Sequence, residues 1–214
     1  MSRSEIQQLY RQRAKRYDLT ANLYYLGGFR EWHYRKVAVG ALDPRPGDTV
    51  VEIGCGTGLN FGLLRKRVTA EGRIIGVDLT DAMLERARAR LRRHGWENVK
   101  LVHSDAGSYA FPARVNGILS TFALGLVPEY EEVIRRGAAA LAPAGRWVVA
   151  DLKMPEGLAR HLAPLFLPAA RPFGVTLDLA ERRPWEVMVR HLWQVRMREY
   201  YLGYVYVCVG ERSA

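Results

Sequence analysis

Three glycines at alternate positions, Gly54, Gly56 and Gly58 in VVEIGCGTGLN, follow a short apolar run and precede a helical pattern. Glycine there permits φ > 0 and lets backbone N–H groups approach a ligand with no Cβ in the way. In a dinucleotide-binding loop of the form GxGxxG the third glycine falls where this chain has Leu59, and no Gly-Lys-Ser/Thr closes the loop as in a phosphate-binding P-loop. A pyrophosphate ligand is therefore disfavoured. Asp78 ends a second apolar run and Asp105 lies just beyond a third. Carboxylates at the carboxyl ends of parallel strands flank the ligand crevice of open α/β sheets, where they accept ribose hydroxyls. The chemistry these residues point to is the binding of a nucleoside-bearing cofactor.

Such residues need strands that end together. Short runs rich in Val and Ile predict strands at 49–53, 73–78, 99–103, 115–120 and 146–151. Between them Phe61, Leu63, Leu64 and Val68, then Met83, Leu84, Ala87 and Leu91, then Val133, Ile134 and Leu141 recur with helical spacing. Strand alternating with helix predicts βαβ units and an open parallel sheet. After Asp151 the alternation stops. Four prolines interrupt Lys153 to Leu179, a short helix follows Pro184, and strand-like runs at 194–202 and 204–210 meet at Gly203, which predicts antiparallel strands at the sheet edge.

With 214 residues, 49% hydrophobic and 25% charged, the chain has the composition of one ordinary globular domain. It divides into a basic, aromatic-rich helical arm over residues 1–42 and a cofactor-binding domain over 43–214, with a lid-like insert at 153–180. The charged first residues lack the apolar centre of a secretory signal, and no uncharged run reaches membrane-spanning length. A cytoplasmic protein, with peripheral membrane contact kept open, is expected. Cys55 and Cys208 form no disulfide framework or metal-ligand pattern, so no metal is expected. The balance of 32 basic against 22 acidic residues, +10, suits acidic partners or simply a solvated Arg-rich surface.

From the glycine loop to the fifth strand the chain resembles the class I S-adenosylmethionine-dependent methyltransferases. VVEIGCGTG is similar to their first motif, GVDLT to their acidic second-strand motif, SDA to their adenine-contacting motif and ALAPAGRWVVAD to the segment through their fifth strand. The resemblance implies a Rossmann-like α/β fold, a seven-stranded mostly parallel sheet of order 3-2-1-4-5-7-6 with helices on both faces and the seventh strand antiparallel. It implies S-adenosyl-L-methionine as cofactor and S-adenosyl-L-homocysteine as product. Glu52, Gly54, Cys55, Gly56, Thr57 and Gly58 are then expected around its methionine and ribose portion, and Asp78 at the ribose hydroxyls. Leu79 and Met83 are expected on the adenine, Asp105 and Ala106 at its edge, and Ser120 and Thr121 along the methionine side. Met83 also reads as core packing, Cys55 as a small spacer and Glu52 as a residue that orients the loop.

The acceptor is read outside these motifs. After the fourth strand the chain has LSTFAL where base-amine methyltransferases of this fold carry an Asp/Asn-Pro-Pro-Tyr-like motif, and no acidic metal cluster stands there. Nucleic acid is therefore disfavoured. KRYDLTANLYYLGGFREWHYRK, residues 15–36, resembles the amino-terminal helix of the branch that methylates quinone rings and lipid amino head groups. By that resemblance Tyr17 lies over the cofactor and Tyr24 and Tyr25 near the acceptor, although an aromatic face that merely packs the arm is an equal reading. Imidazole titrates near neutrality, which makes His33 a candidate to take a proton from the acceptor, ahead of His103 and Tyr109. Leu158, Leu162, Leu165, Phe166 and Leu167 beside Arg160, His161 and Arg171 have the composition of a segment on an anionic lipid surface, a lid or a dimer contact. The expected function is methyl transfer to a small or lipid-linked acceptor, with an amino head group ahead of a quinol carbon. An RNA acceptor and a non-catalytic cofactor-binding role are the alternatives, and the sequence sets no oligomeric state.

Overall fold

The computed structural model describes residues 5, 7, 8, 10, 11, 31–157 and 182–213. Its centre is β1 (Thr49–Ile53), flanked by β2 (Arg73–Asp78) and β4 (Val115–Thr121), with β3 (Val99–His103) beyond β2 and β5 (Leu141–Leu152) beyond β4. These five are parallel. Antiparallel β7 (Val205–Glu211) pairs with β5, and β6 (Trp193–Tyr200) closes the edge, giving the order β3-β2-β1-β4-β5-β7-β6. The sheet order and its antiparallel seventh strand are those the resemblance implies. β5 is longer than the predicted 146–151, because it begins at Leu141 directly after the preceding helix and its register shifts between Val115 and Gly117 of β4.

The sheet is apolar on both faces, as buried parallel strands must be. Successive side chains alternate, so Val50 packs with α1 (Glu31–Leu42), α2 (Phe61–Val68) and α3 (Asp81–His94), while Val51 and Ile53 pack toward α4 (Tyr130–Ala140) and α5 (Pro184–His191). Gly76 lets Phe61 of α2 sit close to the sheet, since a Cβ there would meet its ring at 2.6 Å. Local chemistry sets the helix limits. α3 opens with Asp81, closes with Arg92, Arg93 and His94, and stops at Gly95 in the left-handed conformation. α5 begins at Pro184, whose missing N–H costs nothing in a first turn.

Parallel strands bring Ile53, Asp78, His103, Thr121 and Leu152, the last residues of β1 to β5, to one rim. The β6–β7 turn, Tyr201–Gly203, lies at that same rim because Val205 pairs with Leu152. Tyr17, Tyr24, Tyr25 and most of the insert, residues 158–180, fall outside the described residues. Among the described residues no helix is long and apolar enough to cross a membrane.

Candidate functional site

The glycine loop leaves β1 with its backbone turned toward β2. The N–H groups of Gly54 and Cys55 donate to the carbonyl of Val77, at 2.8 and 3.0 Å. Gly54, Gly56 and Gly58 have φ of +68°, +54° and +78°, the region from which a Cβ is largely excluded. At Gly54 a Cβ would also collide with that of Ala123, and at Gly58 it would meet the Phe61 ring at 2.5 Å. From α3, Arg90 Nε donates to the carbonyl of Thr57 at 3.0 Å, fixing the far side of the loop.

Asp78 ties the loop to the second strand. Its Oδ2 accepts the Gly56 N–H and its Oδ1 the Thr80 N–H, both at 2.8 Å. Burial pushes the Asp78 carboxyl above the usual range, and these two N–H groups oppose that rise. The Thr80 side chain also bonds this carboxylate, and its remaining acceptor capacity suits a sugar hydroxyl.

A buried polar chain runs beneath this rim from β1 to α1. Glu52 Oε1 accepts from Asn60 Nδ2 at 2.7 Å, and the same amide donates to Thr121 Oγ1 at 2.9 Å. Thr121 Oγ1 also accepts from Arg35 Nη1 at 2.7 Å, and Arg35 binds Glu31 Oε1 through Nε and Nη2 at 2.9 and 2.5 Å. Burial pushes Glu52 up to about 8, against the opposing Asn60 hydrogen bond and Arg35 charge. Four buried atoms here, Glu31 Oε2, Glu52 Oε2, Asn60 Oδ1 and Ser120 Oγ, have no hydrogen-bond partner among the described residues. Buried polar groups are ordinarily satisfied, so their concentration around one rim fits a site built for a polar ligand.

A cavity of about 110 Å³ opens above these elements. Of the residues singled out from sequence, Gly54, Cys55, Gly56, Thr57, Asp78 and Leu79 line it, as do Met83, Asp105, Ala106 and Thr121. Glu52 and Ser120 are fully buried below it. Gly58 shapes the turn into α2. Met83 is both buried core and cavity wall, so its two readings do not exclude each other. Cys55 is a buried small residue whose thiol burial pushes well up, the behaviour of a spacer rather than a nucleophile.

None of the candidate proton acceptors His33, His103 and Tyr109 is among the residues lining the cavity. His33 is exposed and packs edge-on against Tyr34 and Tyr200, with ring centroids 5.6 and 6.3 Å apart, and it is not among the residues lining the cavity. His103 sits with Nε2 2.9 Å from the Leu79 carbonyl, and Tyr109 is buried edge-on against Phe111. Among the described residues no His, Cys, Asp and Glu cluster could hold a metal ion.

Sequence reasoning passed over Arg35, Asn60, Tyr10 and Phe122. Arg35 counted only as one of the arm's basic residues. Its position one helical turn after Glu31 was the available signal for a pair, but the partner Thr121 lies 86 residues away. Tyr10 reaches the cavity because its neighbours dock on the β2 end: Gln7 Nε2 donates to the Leu79 carbonyl at 3.2 Å and Arg11 forms a two-pronged ion pair with Asp81 at 2.8 Å.

A family profile described as a methyltransferase domain matches residues 50–145. The chain is 29% identical over 182 residues to a 2-phytyl-1,4-naphtoquinone methyltransferase of Thermosynechococcus vestitus, a match covering 82% of this chain and 79% of that one. It is 31% identical over 144 residues to a ubiquinone/menaquinone biosynthesis C-methyltransferase of Citrobacter koseri, covering 66% and 57%. Of two other curated relatives matched at 32% identity it spans only 34% and 28% of the length. Among solved structures it is similar to a geranyl diphosphate C-methyltransferase of Streptomyces coelicolor, with TM-score 0.67, 15% identity and coverage of 85% of this chain and 79% of that one.

Proposed function

We propose that this chain, which has the class I S-adenosylmethionine-dependent methyltransferase fold, transfers a methyl group from S-adenosylmethionine to a small or lipid-associated acceptor and releases S-adenosylhomocysteine. The observation that carries the proposal is the meeting, in one cavity, of the left-handed glycine loop and the doubly N–H-bonded carboxylate of Asp78. Asp78 takes the ribose hydroxyls, the loop backbone takes the amino-acid end, and Met83 with Ala106 bounds the adenine. The buried hydrogen bonds of Asn60 to Glu52 and Thr121 brace the floor beneath the methionine end.

The sulfonium supplies an activated methyl group with a neutral leaving group. The protein's tasks are then alignment and exclusion of water, which are effects of proximity and orientation. Tyr10 and Arg35 help to line the cavity, and the Arg35–Glu31 pair with the Arg35–Thr121 bond anchors α1 to the rim.

For the acceptor we place a quinol-type ring carbon ahead of an amino head group, reversing the order expected from the sequence. The support is that relatives matched over most of this chain are named as a 2-phytyl-1,4-naphtoquinone methyltransferase and a ubiquinone/menaquinone biosynthesis C-methyltransferase. Incubation with methyl-labelled cofactor tests both levels. Label should enter a demethylated quinol in detergent; label in phosphatidylethanolamine alone would restore the amino reading, and label in RNA alone would remove the lipid-associated one. Cofactor bound but never turned over with any acceptor would leave a regulatory binding protein.

A further inference from the structure

Asp151 ends the buried part of β5, and Arg182 is thirty-one positions further along the chain. Both hold the same short turn. Leu124–Leu126 forms one turn of 3-10 helix after β4, and Leu126, Val127 and Pro128 then form one wall of the cavity. Asp151 Oδ2 accepts the Gly125 N–H at 2.9 Å, while Arg182 Nη1 donates to the Gly125 carbonyl at 2.7 Å and to the Val127 carbonyl at 2.9 Å. The guanidinium also lies 5.8 Å from the centre of the Tyr130 ring. A Cβ on Gly125 would come within 3.2 Å of Asp151 Oδ2, so the absence of a side chain lets the carboxylate approach.

A three-residue 3-10 turn has few bonds of its own. Here the donor and the acceptor of a single residue are both taken by charged side chains, which bracket the segment 152–181 in sequence. We infer that Asp151 and Arg182 are positioning residues: by gripping Gly125 from both sides they hold the Leu126–Pro128 wall in place and so set the cavity's affinity for the nucleoside cofactor. The inference rests on the cofactor reading above.

The grip is sensitive to pH. Asp151 pairs across the sheet with Tyr206, whose buried hydroxyl has no partner among the described residues, and Tyr130 of α4 and Cys208 of β7 lie nearby. Lys153 is engaged by Glu199 of β6 at 2.5 Å, and Arg182 by the turn's carbonyls. Burial pushes Asp151 up to about 6, opposed by the N–H groups of Gly125 and Leu152. A protonated Asp151 holds the Gly125 N–H less strongly, because a charge-assisted hydrogen bond is roughly twice as strong as a neutral one. Cofactor binding that needs the wall in place must, by linkage, favour the ionised form.

Calorimetry with S-adenosylhomocysteine between pH 5 and 7.5, in buffers of different ionisation heat, tests this. For the wild type we expect affinity to rise by about three- to tenfold across pH 6, with protons released on binding. Asp151→Asn should lose that component while keeping any slope owed to Glu52 or Asp78. Arg182→Gln should bind about tenfold more weakly at every pH with little change in thermal midpoint. Gly125→Ala, which crowds the carboxylate without changing charge, is a second variant expected to weaken binding. Wild-type binding with all three variants indistinguishable from it overturns the clamp alone. Failure of the wild type to bind at any pH overturns the cofactor reading and the clamp with it.

Discussion

Arg35 Nη1 donates to Thr121 Oγ1 across 2.7 Å, a bond between α1 and the end of β4 made in the interior. Arg35 and its partner Glu31 each retain 5% exposure. The pair is buried between the arm's last helix and the cavity, so its loss should be felt as stability. Arg35→Met leaves the Glu31 carboxylate buried without its cation and should cost about 3–5 kcal/mol in urea unfolding. The double variant with Glu31→Met should recover most of that. A double variant no more stable than the single would remove the pair from this role.

Asp78→Asn keeps the side chain's shape but removes its charge, and its amide can serve only some of the hydrogen bonds that the carboxylate accepts. Hydrogen bonds to charged groups are worth about 1.5–3 kcal/mol, so S-adenosylhomocysteine affinity should fall by about 10- to 100-fold. Titration calorimetry on the folded variant reads this directly. In the wild type, affinity should also fall as pH drops through the raised pKa of Asp78.

Gly54→Ala forces a Cβ into a backbone at φ +68° and against Ala123. A left-handed non-glycine residue costs about 1–2 kcal/mol and overpacking about 1–3 more. The thermal midpoint should drop and cofactor binding with it. By contrast Gly40→Ala lies in α1, with nothing within 4 Å of the added methyl, and should be neutral or slightly stabilising.

Glu52 links stability to pH. Its folded pKa of about 8 is raised from an ordinary 4.5, so the unfolded chain gives up its proton first. The contribution is therefore fully present below about pH 4.5 and is lost as pH rises through about 8. Each tenfold difference in proton affinity between the folded and unfolded chains is worth about 1.4 kcal/mol, so by pH 9 the loss is on the order of a few kcal/mol. Urea midpoints measured at pH 5 and pH 9 should fall for the wild type and change much less for Glu52→Gln. Equal slopes would mean that Glu52 is ionised in the free protein.

The runs at 49–53, 73–78 and 99–103 coincide with β1, β2 and β3, because a buried parallel strand must be short, continuous and apolar, and little else is. Gly54, Gly56 and Asp78, which the structure brings to one cavity, could be picked out since left-handed backbone favours glycine and the carboxyl ends of parallel strands flank a crevice. Arg35, Asn60 and Arg182 could not. Each acts through a partner 26 to 86 residues away in sequence, taking in also Arg90 at Thr57 and Asp151 at Gly125, and side chains of ordinary surface type carry no mark of burial.

The chain's own order of residues thus determined the sheet, its rim and the two ends of the proposed nucleoside site, for these follow from periodicity and from backbone conformations that few residue types tolerate. Only the folded structure decided what lies beneath and beside that site: the Glu31–Arg35–Thr121–Asn60–Glu52 chain of buried polar groups and the Asp151–Gly125–Arg182 grip. The reason is physical. Whether an arginine or a carboxylate is solvated or desolvated, paired or orphaned, depends on which distant segments close over it, and no local pattern encodes that.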